Sequence, residues 1–229
     1  MVVTSGVDGL LWFWDVKTGK RQFSLDNSGK IYSVAASPVG SLTVAGLNGR
    51  TKAWSSETRQ EITDLPQAGD ITTLAFSQDG IFLATGSSEG TVILWKIDGA
   101  GITQTGNILH LNGSPRFLAF SPDNKWLAGG GSTSYAYLWD TASVQEMARI
   151  PHGNPVTSVS FSPDGTQLLT VSRKVIRLWN ISDIPLVSKE ELLPNACSHL
   201  ATNLSMDDWN NYFSDEVYQP ICPGLPEEE

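Results

Sequence analysis

Cysteine is nearly absent from this chain of 229 residues: there are two, Cys197 and Cys222, both beyond residue 196. The first 196 residues therefore hold no disulfide framework, and no thiol pair has the spacing of a zinc site. Three histidines, His110, His152 and His199, lie far apart, and no Glu-x-x-His accompanies them. Metal ligation and metal-assisted hydrolysis lose their usual sequence marks, so no metal and no cofactor is expected. No glycine loop is followed by Lys-Ser or Lys-Thr, which excludes P-loop nucleotide hydrolysis. No apolar run approaches membrane-spanning length, and no charged-then-apolar leader precedes a cleavage site, so a cytoplasmic protein without membrane contact is expected. Basic residues are also scarce, 15 against 24 acidic. With no basic stripe beyond Arg173, Lys174 and Arg177, nucleic acid is not an expected ligand, because Lys and Arg supply most of that affinity. The acidity is uneven: residues 1–185 carry 14 basic and 15 acidic side chains, whereas 186–229 carry 1 and 9.

What the chain has in abundance is tryptophan in register. Trp14, Trp54, Trp95, Trp139 and Trp179 recur at intervals of 40, 41, 44 and 40 residues, each closing a short apolar run. A period near forty marks one supersecondary unit repeated. A second marker keeps step: Ser37-Pro38-Val39-Gly40, Ser77-Gln78-Asp79-Gly80, Ser121-Pro122-Asp123-Asn124 and Ser162-Pro163-Asp164-Gly165. Each is a turn signal, with Pro presetting φ and Asp, Asn or Gly supplying conformations that bulky residues resist. In the clearest unit, 156–161, 168–171 and 175–179 read as three short antiparallel strands around that turn. A fourth strand follows each Trp, as at 21–25 and 61–65. Four such strands make one blade.

On these residues the chain resembles the WD-repeat family of β-propellers, in which each repeat ends in Trp-Asp or a relative and the blades circle a channel. The resemblance implies an all-β, partial or open propeller over residues 1–185, divided into an incomplete blade 1–27 and units 28–66, 67–110, 111–151 and 152–185. An acidic, partly helical extension follows at 186–229. The five Trp are the structural repeat residues. The family's His before each first strand survives as His152, while Asn27, Gln67 and Leu111 hold the equivalent positions. The family's Asp before the Trp strand survives as Asp8, softens to Asn48 and Glu89, and is missing from the last two units. The buried His, Ser or Thr, Asp and Trp hydrogen-bond chain of the family is thus complete in no repeat.

The blade count comes to about four and three-quarters, against 4 to 8 in ordinary propellers. The first blade lacks its innermost strand, so the reading is of a fragment with open edges that invite self-association.

In the extension, Leu193, Cys197, Leu200 and Leu204 form a helical stripe, and Ser205 with Asp208 opens a second short helix carrying Met206, Trp209 and Phe213. Together with Tyr212, Tyr218 and Cys222-Pro223, this tail resembles the C-terminal extension of bacterial, often cyanobacterial, WD-repeat signalling proteins. The resemblance implies the sensor end of such a protein. Cys197 and Cys222 are open to two readings, free and packed or bridged.

One catalytic pattern needs weighing. Gly86-Ser87-Ser88-Glu89-Gly90 matches G-x-S-x-G, but a nucleophile elbow needs a strand, a sharp turn and a helix, and here strands flank the turn on both sides. The chain is accordingly read as a noncatalytic scaffold binding a protein or peptide. Lys30, Asn48, Asp70, Glu89, Arg116, Tyr135, Arg173 and Lys174 are the candidate contact positions on one rim. The alternatives are a truncated gene remnant without independent function and a catalytic propeller.

Overall fold

The computed structural model describes residues 1–27, 29–99, 101–173 and 175–181. Lys174, both expected tail helices, Cys197 and Cys222 lie outside them. The chain divides into two units, Met1–Ser182 and Asp183–Glu229.

Among its described residues the first unit is built from strands alone, all paired antiparallel. The first blade holds β1 (Val2–Ser5), β2 (Leu10–Trp14) and β3 (Arg21–Asp26), in that order. The second holds β4 (Ser33–Ala36), β5 (Leu42–Gly46), β6 (Asn48–Ser55) and the start of β7 (Glu61–Phe76). The end of β7 opens the third blade, with β8 (Phe82–Ser87), β9 (Thr91–Asp98), β10 (Gly101–Gln104) and the short β11 (Leu109–His110). The fourth is β12 (Pro115–Phe120), β13 (Trp126–Gly131), β14 (Tyr135–Asp140) and β15 (Gln145–Pro151). The fifth is β16 (Val156–Phe161), β17 (Gln167–Ser172) and β18 (Val175–Asn180). The unit is a partial propeller.

One strand departs from the blade-by-blade reading. β7 runs for 16 residues through the outer edge of the second blade into the first position of the third, so β4 to β10 form one hydrogen-bonded path. Pro66 and Gly69 let it change sheets: Gly69 sits at φ +81°, where a side chain would also strike Ser88 and Glu89. Only glycine takes that conformation at little cost.

The turn joining the first two strands of each full blade explains its sequence. Ser77 donates its hydroxyl to Asp79 at 2.6 Å, Ser121 to Asp123 at 2.6 Å and Ser162 to Asp164 at 2.5 Å. Each serine oxygen also receives the backbone N–H five residues on, from Phe82, Trp126 and Gln167. The Ser162 hydroxyl, with the Thr166 backbone and side chain, holds the Asp164 carboxyl below its ordinary range. In the second blade Val39 replaces the aspartate, and the buried Ser37 hydroxyl has no partner.

Packing between blades follows the two-residue period of a strand. Leu11 and Phe13 of the first blade meet Ala45, Leu47 and Trp54 of the second. Val44 and Ala53 of the second meet Leu83, Ile93 and Trp95 of the third. Val92 and Leu94 of the third meet Leu127, Tyr137 and Trp139 of the fourth. At each of these junctions the repeat Trp faces the preceding blade. Trp54, Trp95 and Trp139 are buried, whereas Trp14 and Trp179 are half-buried, which departs from a uniform reading of the five. Trp14 has no described blade before it, and no described strand pairs the far edge of β18.

Candidate interaction rim

The hairpin turns that precede the Trp strands gather at one end of the blades, with the segments leading into each first strand. Backbone bonds tie the two sets together. Asn27 N–H donates to Gly9 O at 3.0 Å, Leu111 N–H to Gly90 O at 2.8 Å, and His152 N–H to Ser134 O at 2.7 Å. In the third and fourth blades a second set locks the turn to the start of its own first strand. Asp70 N–H donates to Ser88 Oγ at 2.9 Å while Ser88 N–H donates to Asp70 O at 2.8 Å. In the next blade Ser114 and Ser132 repeat the reciprocal pair, at 2.8 and 3.0 Å. Paired backbone groups of this kind hold a loop in one shape, so its side chains are presented on a rigid frame.

On that frame Lys30, Asn48, Glu89, Arg116, Tyr135 and Arg173 are exposed, and Asp70 is half-buried. Asn48 donates its amide to the Asp70 carboxylate at 2.7 Å, joining two of the sequence candidates. Lys30 and Asn48 also line a shallow pocket of about 370 Å³ together with Tyr32, Arg50, Asn27, Gly29 and Leu47. Sequence reading had not singled out Tyr32 or Arg50. Desolvation, then the Asp70 carboxylate, raises the Tyr32 hydroxyl above its ordinary pKa. Arg50 pairs with Asp64 at 3.1 Å on the surface, a contact worth little by itself. Glu89 and Arg173 fall on the turns of the third and fifth blades, Arg116 on the first strand of the fourth and Tyr135 at the start of its Trp strand, β14. Asp8 is exposed and accepts from Leu10 N–H at 3.2 Å, so it shapes its own hairpin turn.

Beneath the rim lies a feature that the sequence reading missed. In the third blade Trp95 Nε1 donates to Thr85 Oγ1 at 2.9 Å, Thr85 donates to Gln67 Oε1 at 2.6 Å, and Gln67 Nε2 donates to Thr91 Oγ1 at 3.2 Å. The Thr91 hydroxyl then bonds Ser87 Oγ at 2.8 Å. Gln67 thus takes the place of the expected histidine, because a carboxamide also offers one acceptor and donors from a single buried side chain. The Trp to Thr contact recurs from Trp14 to Thr4 and from Trp179 to Thr170, both at 2.8 Å. A threonine nine or ten residues before the Trp was the available signal. In the second and fourth blades Ala45 and Gly129 hold that position. A Cβ on Gly129 would lie 2.6 Å from the Trp139 ring, so there the indole packs on bare backbone.

His152 sits at the equivalent of Gln67 in the fifth blade. It is buried, edge-on to Trp179 with ring centroids 6.4 Å apart, and neither ring nitrogen has a partner. The hydroxyl that Thr91 supplies in the third blade is missing at Val175, which leaves Ser172 Oγ unpartnered too. Burial and then the Arg177 charge lower the His152 pKa.

The G-x-S-x-G residues form the end of β8 and the hairpin turn that leads to β9, and Ser88 is engaged by Asp70 N–H. Among the described residues no three His, Cys, Asp or Glu side chains come together as a metal site, and no helix is long and apolar enough to cross a membrane.

Comparison with known proteins places residues 60–96, 105–140 and 145–180 under the model of the WD domain, G-beta repeat. The chain is 27% identical over 214 residues to the protein hir1 of Schizosaccharomyces pombe, covering 79% of this chain and 23% of that protein. It is 28% identical over 178 residues to WD repeat-containing protein 1 of Mus musculus, covering 73% and 29%. With WD repeat-containing protein SL1-17 of Schistosoma mansoni the identity is 32% over 195 residues, covering 81% and 63%. The chain spans about a quarter of the length of the first two.

Proposed function

Because the chain is a member of the WD-repeat family, we propose that it is a noncatalytic scaffold whose rim binds a protein or an extended peptide. The observation that carries this reading is the reciprocal locking of rim turns to first strands, at Asp70 with Ser88 and Ser114 with Ser132. It fixes the backbone beside exposed Glu89, Arg116 and Tyr135, on the same rim that exposes Lys30, Asn48 and Arg173. A rigid frame with varied polar and aromatic tips lowers the ordering cost of binding, and propellers offer such a rim by converging loops from every blade. The narrower reading, the sensor end of a bacterial signalling protein, rests on the tail residues from Cys197 to Pro223 alone. The relatives from Schizosaccharomyces pombe, Mus musculus and Schistosoma mansoni are eukaryotic and lend it no support.

The test is selection of a displayed peptide library on the full chain, followed by titration of the selected peptides against Lys30→Glu, Arg116→Glu and Tyr135→Ala. At least one rim variant is expected to weaken binding tenfold or more with its melting curve unchanged. Peptides that bind all three variants as tightly as the parent chain would move the site off this rim.

A further inference from the structure

The rim of the second blade is open where that of the third is closed. In the third blade a side-chain hydrogen bond of 3.2 Å joins Gln67 to Thr91. In the second, Asn27 holds the place of Gln67, and Arg50 stands before Trp54 as Thr91 stands before Trp95. Asn27 is one methylene shorter and gives its amide to Gly9 O at 3.5 Å, while Arg50 turns to Asp64 at 3.1 Å. These two residues are therefore not tied to each other, and both line the pocket of about 370 Å³ instead. Lys30 lines it too, and none of its described lining residues is acidic. Lys30 is exposed and makes no ion pair among the described residues. Arg50 uses one N–H on Asp64, which leaves the rest of its fork as donors. Two carboxylates stand at the margin: Asp64 on Arg50, and Asp70, which accepts from the Asn48 amide at 2.7 Å and meets the Tyr32 hydroxyl.

We propose that this pocket takes a single carboxylate, the Asp or Glu side chain of an extended peptide lying along the rim, with Lys30 as its counter-charge and Arg50 as a hydrogen-bond donor. The proposal rests on the rim reading and narrows it to one ligand chemistry. Charge selects a carboxylate over a phosphoryl group. Lys30 and Arg50 with Asp64 and Asp70 sum to a formal charge of zero, and of the two cations only Lys30 lacks a carboxylate partner. One added negative charge is matched by Lys30. A phosphoryl group carries about −1.5 to −2 at neutral pH, and its second charge would face Asp64 and Asp70 with no further lining cation to match it. Leu47 and the Tyr32 ring supply an apolar wall for the methylenes that carry the carboxylate. The pocket lies near the small end of the roughly 300–1,000 Å³ of ligand sites, and it is shallow. A free acid would leave most of its surface in water there, whereas a peptide adds contacts with the neighbouring rim residues.

The experiment takes peptides selected from a displayed library on the full chain and measures their binding by fluorescence anisotropy to the parent chain and to Lys30→Gln. Lys30 is exposed, and a melting curve checks that the variant is folded. The selected peptides are expected to share an Asp or Glu at one position. Replacing that acid by its amide in the peptide is expected to weaken binding to the parent about tenfold or more, the order for losing a charge-assisted bond. On Lys30→Gln the same replacement is expected to cost less than about twofold, because the partner charge is already gone. Phosphoserine at that position is expected to bind the parent more weakly than Glu. The proposal is overturned by selected peptides with no shared acid, by an amide replacement that costs the same on the parent and on Lys30→Gln, or by phosphoserine binding more tightly than Glu. In each of these cases the rim reading still stands if Arg116→Glu or Tyr135→Ala weakens the same peptides. A selection that yields no peptide at all counts against both.

Discussion

Thr85 stands between Trp95 and Gln67, accepting from the indole at 2.9 Å and donating to the carboxamide at 2.6 Å. The threonine oxygen and the carboxamide are buried, so each needs the other to be satisfied. The next blade shows the alternative: Leu111 and Gly129 replace the polar pair, and the indole of Trp139 lies on glycine. Both solutions leave no buried donor stranded. A mixture of the two would.

Gln67→Leu, made alone, is accordingly expected to destabilise the domain by about 1 to 3 kcal/mol, because Thr85 and Thr91 lose a buried partner while nothing fills their place. Urea unfolding followed by tryptophan fluorescence measures it. A cost within a few tenths of a kcal/mol would mean that the chain from Trp95 to Ser87 contributes nothing to stability.

Trp139→Ala is expected to cost about 3 to 5 kcal/mol, the range for deleting a large buried aromatic. Trp139 is 1% exposed and packs with Tyr137, Leu127 and Leu94. Trp14→Ala, on the half-buried face of the first blade, is expected to cost clearly less. Equal losses in chemical denaturation would contradict the order of burial.

The orphaned Ser37 hydroxyl gives a stabilising substitution. Val39 is 61% exposed, and an aspartate in its place would accept from Ser37 as Asp79, Asp123 and Asp164 accept from their serines. Val39→Asp is expected to raise stability by about 0.5 to 1.5 kcal/mol, the net worth of one hydrogen bond. A variant that melts below the parent chain would rule this out.

His152 makes stability depend on pH in one direction. Burial first and the Arg177 charge second hold its folded pKa below the ordinary value. The unfolded chain then binds the proton more readily, so this contribution is fully present above about pH 6.5 and is lost as pH falls through the lowered folded value. Thermal melts should decline over that window, and His152→Gln should flatten the decline. Adding Val175→Thr to the parent chain should raise the melting point near neutral pH, by restoring the hydroxyl that Thr91 provides in the third blade. A pH profile identical in parent and His152→Gln would remove His152 from this role.

Much of the fold was legible because its marks are local. The Trp period, the Ser-x-Asp-Gly turn and the two-residue alternation are each set within a few neighbouring residues, and strand pairing follows from them. The place of the rim turns was legible for the same reason, since topology alone brings them to one end. What the chain order could not show was which partner each buried polar group finds. Gln67 reads as a lost histidine until Thr85, 18 residues away, is seen to bond it. His152 reads as a kept one until its ring nitrogens are seen to meet no partner. Nor does sequence distinguish Ile176 and Leu178 from Val92 and Leu94, a bulky aliphatic pair in the same register before a repeat Trp that is buried. Local chemistry determined the blades of this protein by itself, because turns and strand alternation act through neighbours. Only the tertiary structure decided which hydrogen bonds close and which apolar faces stay open, because satisfaction and burial depend on what another blade brings within a few ångströms.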